Sequence, residues 1–431
     1  MGSSLGLSAR LSALFRGDFL RDVLKLSFGT LGGRLIALAA LPVLTRLYSP
    51  DDFALLAVYL AIVSTVAVAA CLRLEIAIPL AEDDDDAANL LALALTGLGL
   101  VAGLMLLLVL LVPARLAGWL GQPGIAPHLW LVPLGIAFAG TYSACQFWTT
   151  RARRFGSIAR TRVGQAAAGV SVMLSLGWAG VAPLGLLLGN MLNIGSGGFS
   201  LGLQALRRDR DKLRAISPRR MQETLRHYRR YPIYSTPEAL FNIAGIQVPV
   251  LLIAAHAGAE AGFLLLAMQV MTAPMTLLGS SISQVYMSRA PEALREGRLA
   301  PFTLSIMRRL AIVGVGPLII VGVFAPPLFP LIFGQEWARA GVIVAWLVPW
   351  MALQFIASPV SMVMFVVGRQ RAMLALTTLG ASIRIGSILL VIGTDLSLVE
   401  IFATSSAVFY IICCAVFIFA ARAGSSERTL T

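Results

Sequence analysis

The sequence predicts an all-α integral membrane fold: about 12 transmembrane helices in two six-helix bundles around a central cavity, with both termini cytoplasmic. Three observations predict it. Of the 431 residues, 58% are hydrophobic and only 13% charged, with mean hydropathy +0.83, whereas a soluble domain carries about 25% charged residues. Apolar runs recur at lengths near 20 residues, enough at roughly 1.5 Å per residue to cross a hydrocarbon core of about 30 Å and too long for outer-membrane barrel strands. The basic residues are also asymmetric: with the N-terminus inside, 28 of the 34 Lys and Arg fall on the cytoplasmic side, among them the cluster at 151–162, against Arg46, Arg115 and Arg339 outside. That is a positive-inside pattern, and it explains a net charge of +13 without nucleic acid.

Apolar runs bounded by charge or Pro/Gly clusters place spans near 23–45, 54–80, 89–112, 127–149, 163–180, 182–205, 233–255, 261–286, 304–333, 340–366, 374–394 and 398–421. The first 22 residues carry Arg10, Arg16 and Arg21 among short apolar clusters and read as a cytoplasmic amphipathic lead-in. Residues 23–206 form one bundle, the basic stretch 207–231 is a cytoplasmic linker, 232–421 form the second bundle and 422–431 a cytoplasmic tail. Six spans per half suggest a repeat inserted twice in the same direction. A weak echo agrees, since Pro42-Val43-Leu44 precedes Phe53-Ala54-Leu55-Leu56 and Pro249-Val250-Leu251 precedes Gly262-Phe263-Leu264-Leu265. Two facing bundles place a cavity between spans one, two, seven and eight.

The charges inside spans carry the functional information. Arg34 lies near the middle of span one, Arg73 and Glu75 in span two, Glu238 in span seven and Arg384 in span eleven. An arginine at the bilayer centre costs about 2.5–3.5 kcal/mol on insertion scales, so it faces protein or water. Two carboxylates leave at least one of three arginines unneutralised, and a bound anion is its natural partner; the guanidinium fork suits phosphate. Glu75 and Glu238 are either ion-pair partners or groups that couple a transport cycle to protons or sodium. On span seven Glu238, Asn242 and Gly245 share a helical face expected to look into the cavity, and Pro237 and Pro249 suggest bends.

In the linker, Ser217 followed by Pro218 has the form of a helix start. Glu82-Asp83-Asp84-Asp85-Asp86 reads as a solvated acidic loop, Asp86 capping span three, with pairing to Arg151, Arg153 and Arg154 as the sharper alternative. Cys71, Cys145, Cys413 and Cys414 read as buried apolar residues. Lys25 and Lys212 follow no phosphate loop, and His128, His227 and His256 are scattered, so no metal, cofactor or enzyme activity is expected.

Phe28-Gly29-Thr30-Leu31, the segment Leu41-Pro42-Val43-Leu44-Thr45-Arg46-Leu47-Tyr48-Ser49-Pro50-Asp51-Asp52-Phe53, and Leu72-Arg73-Leu74-Glu75-Ile76-Ala77-Ile78-Pro79 resemble the oligosaccharide flippase (Wzx-type) family of polysaccharide transporters. The similarity continues through Tyr231-Pro232, Pro237, Asn242, Ala261-Gly262-Phe263, Pro274 and Phe333-Gly334-Gln335-Glu336-Trp337 with Gly341. The resemblance implies a member of the multidrug/oligosaccharidyl-lipid/polysaccharide exporter superfamily with alternating access. It further implies a substrate, undecaprenyl-diphosphate-linked oligosaccharide, moved to the periplasmic leaflet of the bacterial inner membrane for O-antigen lipopolysaccharide, capsule or exopolysaccharide. Membrane lipids, a polysaccharide polymerase and glycosyltransferases are the implied partners. Arg34, helped by Arg73 and Arg384, is expected to hold the diphosphate, with Asn242 and Gln247 on the sugars. Gln269 departs from the basic residue that many relatives carry there. The rivals are a multidrug cation antiporter of the same superfamily, which needs an acidic cavity, and a non-transporting scaffold of an export complex.

Overall fold

A computed structural model describes residues 18–426, so most of the expected lead-in and the last five residues of the tail lie outside the described residues. Those described are helical with no strand. Helix α1 spans Asp18–Leu47, and α2 spans Pro50–Ala70. A capping box separates them: the Ser49 hydroxyl accepts from the Asp52 amide, the Asp52 carboxylate accepts from the Ser49 amide at 2.9 Å, and Pro50 opens the first turn. Helix α3, Asp84–Leu111, is capped by Asp83, which accepts from the Asp86 amide at 2.6 Å. Asp83 therefore does what was expected of Asp86, because the helix starts earlier than the apolar run.

Span two is not one helix. It ends at Ala70, Leu72 and Arg73 take left-handed backbone angles (φ 55° and 57°), and a 3-10 segment follows over Leu74–Leu80. The cause is tertiary. Gly97 of α3 lies so close that a Cβ there would sit 3.2 Å from the Ala70 carbonyl, and Arg151 holds the segment by donating to the Ile78 and Ala81 carbonyls at 3.2 and 2.7 Å.

The first half continues with α4 (Leu131–Arg151), α5 (Phe155–Trp178), α6 (Leu184–Gly195) and α7 (Gly197–Arg208). Span six is thus broken at Ser196. Gly195 permits the break, since a Cβ on it would lie 2.3 Å from the Phe138 backbone of α4. The linker holds α8, Pro218–His227, with Ser217 as N-cap and Pro218 in the first turn as expected. The second half comprises α9 (Thr236–Ala257), α10 (Glu260–Arg295), α11 (Leu299–Phe333), α12 (Ala338–Val360), α13 (Gln370–Val391) and α14 (Leu398–Ser426). Pro237 falls in the first turn of α9, where its missing N–H breaks no bond, so only Pro249 is interior. Eight segments among the described residues are long and apolar enough, by length and composition, to cross a membrane.

Helix α1 packs on α5, α5 on α6, α3 on α4, and α4 on α2, α6 and α7. In the second half α12 packs against α10, α11 and α14, while α13 packs against α9 and α14. The halves meet chiefly where α2 lies against α9 and α10.

At the basic end, the acidic loop is paired. Asp84 meets Arg151 at 3.1 Å and Lys212 at 2.9 Å, Asp85 meets Arg220, and Thr224 of α8 donates to Asp86 at 3.3 Å. Asp209 is buried and accepts from Trp148 Nε1 at 3.0 Å and bidentately from Arg154 at 2.5 and 2.8 Å. Burial pushes this carboxyl up, but the bonds from Arg154 and Trp148 outweigh it and hold it below the usual carboxylate range. Its stabilisation is therefore complete above the unfolded value near 3.9 and lost as pH falls through the lower folded value. Asp209→Asn should cost about 1.5–3 kcal/mol at neutral pH. Thermal unfolding in detergent checks this: the gap to the parent should close on acidification, and a pH-independent gap would refute it.

Candidate functional site

A cavity of about 570 Å³ lies in the first half, lined from α1, α2, α4, α5 and α6, with Gln269 and Thr272 of α10 from the second half. Among the described residues its charged lining is Arg34 and Arg162, with no carboxylate. The helices carrying the two arginines are drawn together by small residues. A Cβ on Gly29 would lie 2.5 Å from the Ala159 Cα, and one on Gly33 would lie 3.0 Å from the Arg162 carbonyl. This i, i+4 glycine pair lets α1 and α5 touch backbone to backbone.

Arg34 sits about 24 Å along α1 from Asp18 at 1.5 Å per residue, near the middle of the helix. It is exposed to the cavity, and among the described residues it has neither a hydrogen bond nor an ion pair. Its nearest electrostatic neighbour is Arg162, a like charge that donates a hydrogen bond to the Thr30 hydroxyl. The rest of the polar lining is neutral. Asn190 Oδ1 and Tyr142 Oη are buried without a partner among the described residues. Two fixed cations, orphaned acceptors and hydroxyls suit an anion with polar substituents.

Arg162 is the residue that sequence reasoning misses, because it reads as one of the cytoplasmic cluster at 151–162. The signal is nonetheless present. Arg162, Gln165, Ala166, Val170 and Met173 recur at helical spacing, and all five line the cavity.

The other expected site residues do not converge on it. Arg73 opens the 3-10 segment, half-buried, with Nε unpartnered; Glu75 beside it is 4% exposed with Oε2 unpartnered. Glu238 and Asn242 are exposed on α9 and Gln247 is half-buried, and none of the three lines the cavity. Gly245, expected on the same face, is buried against Ala381 of α13, where a Cβ would lie 3.2 Å from that Cα. Arg384 is 5% exposed inside the second half: Nε donates to Ser406 at 3.1 Å, and the guanidinium lies 4.6 Å from the Phe409 ring and 5.5 Å from Tyr410. Aromatic faces and a hydroxyl hold that cation. Neither Glu75 nor Glu238 forms an ion pair with Arg34, which leaves the latter free. Gln269 does line the cavity, so the second half contributes an amide and no cation to its lining among the described residues. No group of three or more His, Cys, Asp or Glu residues among the described ones is placed to hold a metal.

The end away from the basic linker, extracytoplasmic by the charge distribution, is sealed. Trp337, just before α12, is fully buried and donates Nε1 to the Thr45 carbonyl of α1 at 2.9 Å. Its ring meets Phe53 of α2 edge-on at 4.8 Å and Phe263 of α10 at 5.8 Å. Beside it Gly262 touches the start of α2, and a Cβ there would lie 2.1 Å from the Pro50 carbonyl. Gln122 Nε2 adds a bond of 2.6 Å to the Ala254 carbonyl.

The helix order and broken spans give a fold similar to that of solved transporters of the multidrug/oligosaccharidyl-lipid/polysaccharide exporter (MOP) superfamily, although the cavity lies in the first half and span seven, expected to border it, contributes no lining residue. An inward-facing multidrug resistance MATE transporter of that superfamily matches with TM-score 0.64 at 14% identity, covering 95% of this chain and 99% of the other. A mutant of the Vibrio cholerae MATE transporter VcmN matches with TM-score 0.60 at 15% identity, over 94% and 95%. A Pyrococcus furiosus superfamily transporter, described as having a binding pocket of reverse polarity that suggests a different function, matches with TM-score 0.57 at 14% identity, over 96% and 97%. The chain belongs to the polysaccharide biosynthesis protein family, whose profile matches residues 43–341. No curated protein matches this sequence significantly.

Proposed function

We propose that this transporter moves an undecaprenyl-diphosphate-linked oligosaccharide from the cytoplasmic to the periplasmic leaflet of the bacterial inner membrane. The observation that carries this reading is a mid-membrane cavity whose charged lining residues are the arginines Arg34 and Arg162. The diphosphate lies between the two guanidiniums, the first sugars meet Asn190, Asn193, Gln165 and Gln269, and the prenyl chain stays in lipid. Binding neutralises charge that is otherwise expensive at that depth, about 2.5–3.5 kcal/mol per arginine. A membrane potential favours outward passage of the anion by about 2.3 kcal/mol per charge per 100 mV. Glycosyltransferases supply such a substrate and a polymerase consumes it, in making O-antigen, capsule or exopolysaccharide.

The test uses the purified chain in liposomes with a fluorescent lipid-diphosphate oligosaccharide. Leaflet exchange should be saturable, competed by the unlabelled lipid diphosphate and insensitive to lipophilic organic cations. Competition by the cations alone would instead support a multidrug antiporter, and absence of exchange would support a scaffold.

A further inference from the structure

A second polar hollow adjoins the cavity and is not used by the diphosphate site. It has a volume of about 390 Å³ and lies between the cytoplasmic third of α5 and α7, sharing Gln165 with the cavity. Ser157, Arg160, Thr161, Gln165, Ser200 and Gln204 give it a lining of hydroxyls, two amides and one cation, without a carboxylate among the described residues. Such a lining is unsuited to acyl chains, which cannot satisfy its hydrogen-bonding groups.

Two of its amides have acceptor capacity to spare. Gln165 is 4% exposed and commits Nε2 to the Ile194 carbonyl at 3.1 Å, while Gln204 Oε1 is buried with no partner among the described residues. The Thr161 and Ser200 hydroxyls face each other across the hollow at 3.5 Å, too long for a strong mutual bond; each donates to a carbonyl of its own helix, Ser157 at 2.7 Å and Gly197 at 3.0 Å, which leaves its oxygen open as an acceptor. Gly197 keeps the two helices this close, since a Cβ there would lie 2.0 Å from Thr161 Cγ2 and 2.9 Å from Gln165 Cδ.

We propose that this groove is a glycan subsite that takes sugar residues beyond those held in the cavity, so that it reads the length of the oligosaccharide. The inference rests on the flippase reading above. Hydroxyl-rich sugars present both donors and acceptors, which the groove's hydroxyls and free amide oxygens match, and Gln165 lines both compartments.

The experiment compares two lipid diphosphates in liposomes, one bearing a single sugar and one bearing several, with the parent and with Gly164→Leu/Ser200→Leu. A Cβ on Gly164 would meet nothing within 4 Å, so a side chain added there fills the groove without displacing backbone. Exchange of the longer glycolipid should fall about tenfold while the single-sugar probe stays within about twofold, and Ser200→Thr, which keeps the hydroxyl, should retain both. Equal loss of both probes, or loss of neither, overturns the subsite alone. A parent that exchanges neither probe overturns the flippase reading with it.

Discussion

Replacing both cavity arginines, Arg34→Ala with Arg162→Ala, is expected to lower exchange of a lipid-diphosphate oligosaccharide by two to three orders of magnitude. A hydrogen bond to a charged group contributes about 1.5–3 kcal/mol, and 1.4 kcal/mol is about tenfold. The single variants should lose less than their share, because the two cations face one cavity and repel each other, so that the remaining one can recentre on the anion. Arg34→Lys should recover only part of the activity, since an ammonium is a point charge without the planar fork. Stability is read in the Arg34→Ala single variant, because Arg162→Ala also removes the bond to the Thr30 hydroxyl. Arg34 has no protein partner to lose, and removing an unpaired cation from mid-membrane depth relieves a cost. Thermal unfolding of Arg34→Ala at or above that of the parent, together with collapsed exchange in the double variant, is the expected pairing. Unchanged exchange in the double variant would sink the anion site.

Trp337→Ala is expected to open the extracytoplasmic side. Truncating a buried tryptophan costs about 3–5 kcal/mol, and here the truncation removes, besides the packing on Phe263, two contacts that join the halves: the bond to Thr45 and the ring packing on Phe53. Because separation of the halves on that side would break these two contacts, their share of the cost falls on the closed conformation, and about 3 kcal/mol moves a two-state population by about two orders of magnitude. Leu44 lines the cavity on this side and is 3% exposed. In a Leu44→Cys background, an impermeant thiol reagent added outside should label the Trp337→Ala protein much faster than its parent, and net exchange should fall as the cycle stalls. Equal labelling rates would mean that Trp337 contributes only to packing.

Much of this architecture is legible from the chain. Hydropathy and charge asymmetry locate the apolar segments, because a segment that crosses a bilayer must stay apolar over about 20 residues. The capping box at Ser49 and the Ser217-Pro218 start are readable because caps are local chemistry. Arg34 stands out because a mid-span cation is costly wherever the helix points. Less legible is what depends on neighbours. The left-handed turn at Leu72 and Arg73 contains no glycine or proline; it follows from the close approach of Gly97 and the hold of Arg151 on the Ile78 and Ala81 carbonyls. Arg162 looks like one more cytoplasmic charge until α5 places it on the same cavity as Arg34, while Arg384, equally deep in its span, is enclosed by aromatic rings.

The sequence by itself determined that this protein is a bundle of membrane helices with basic segments on one side and more cations than carboxylates in its interior. Composition and spacing suffice for that, since insertion into a bilayer depends on each segment's own hydropathy. Only the tertiary structure decided which cations share a cavity. Depth along a helix is written in the spacing of residues, but the direction a side chain faces depends on which helices pack together, and glycines such as Gly29, Gly33 and Gly262 control that through contacts distant in the chain.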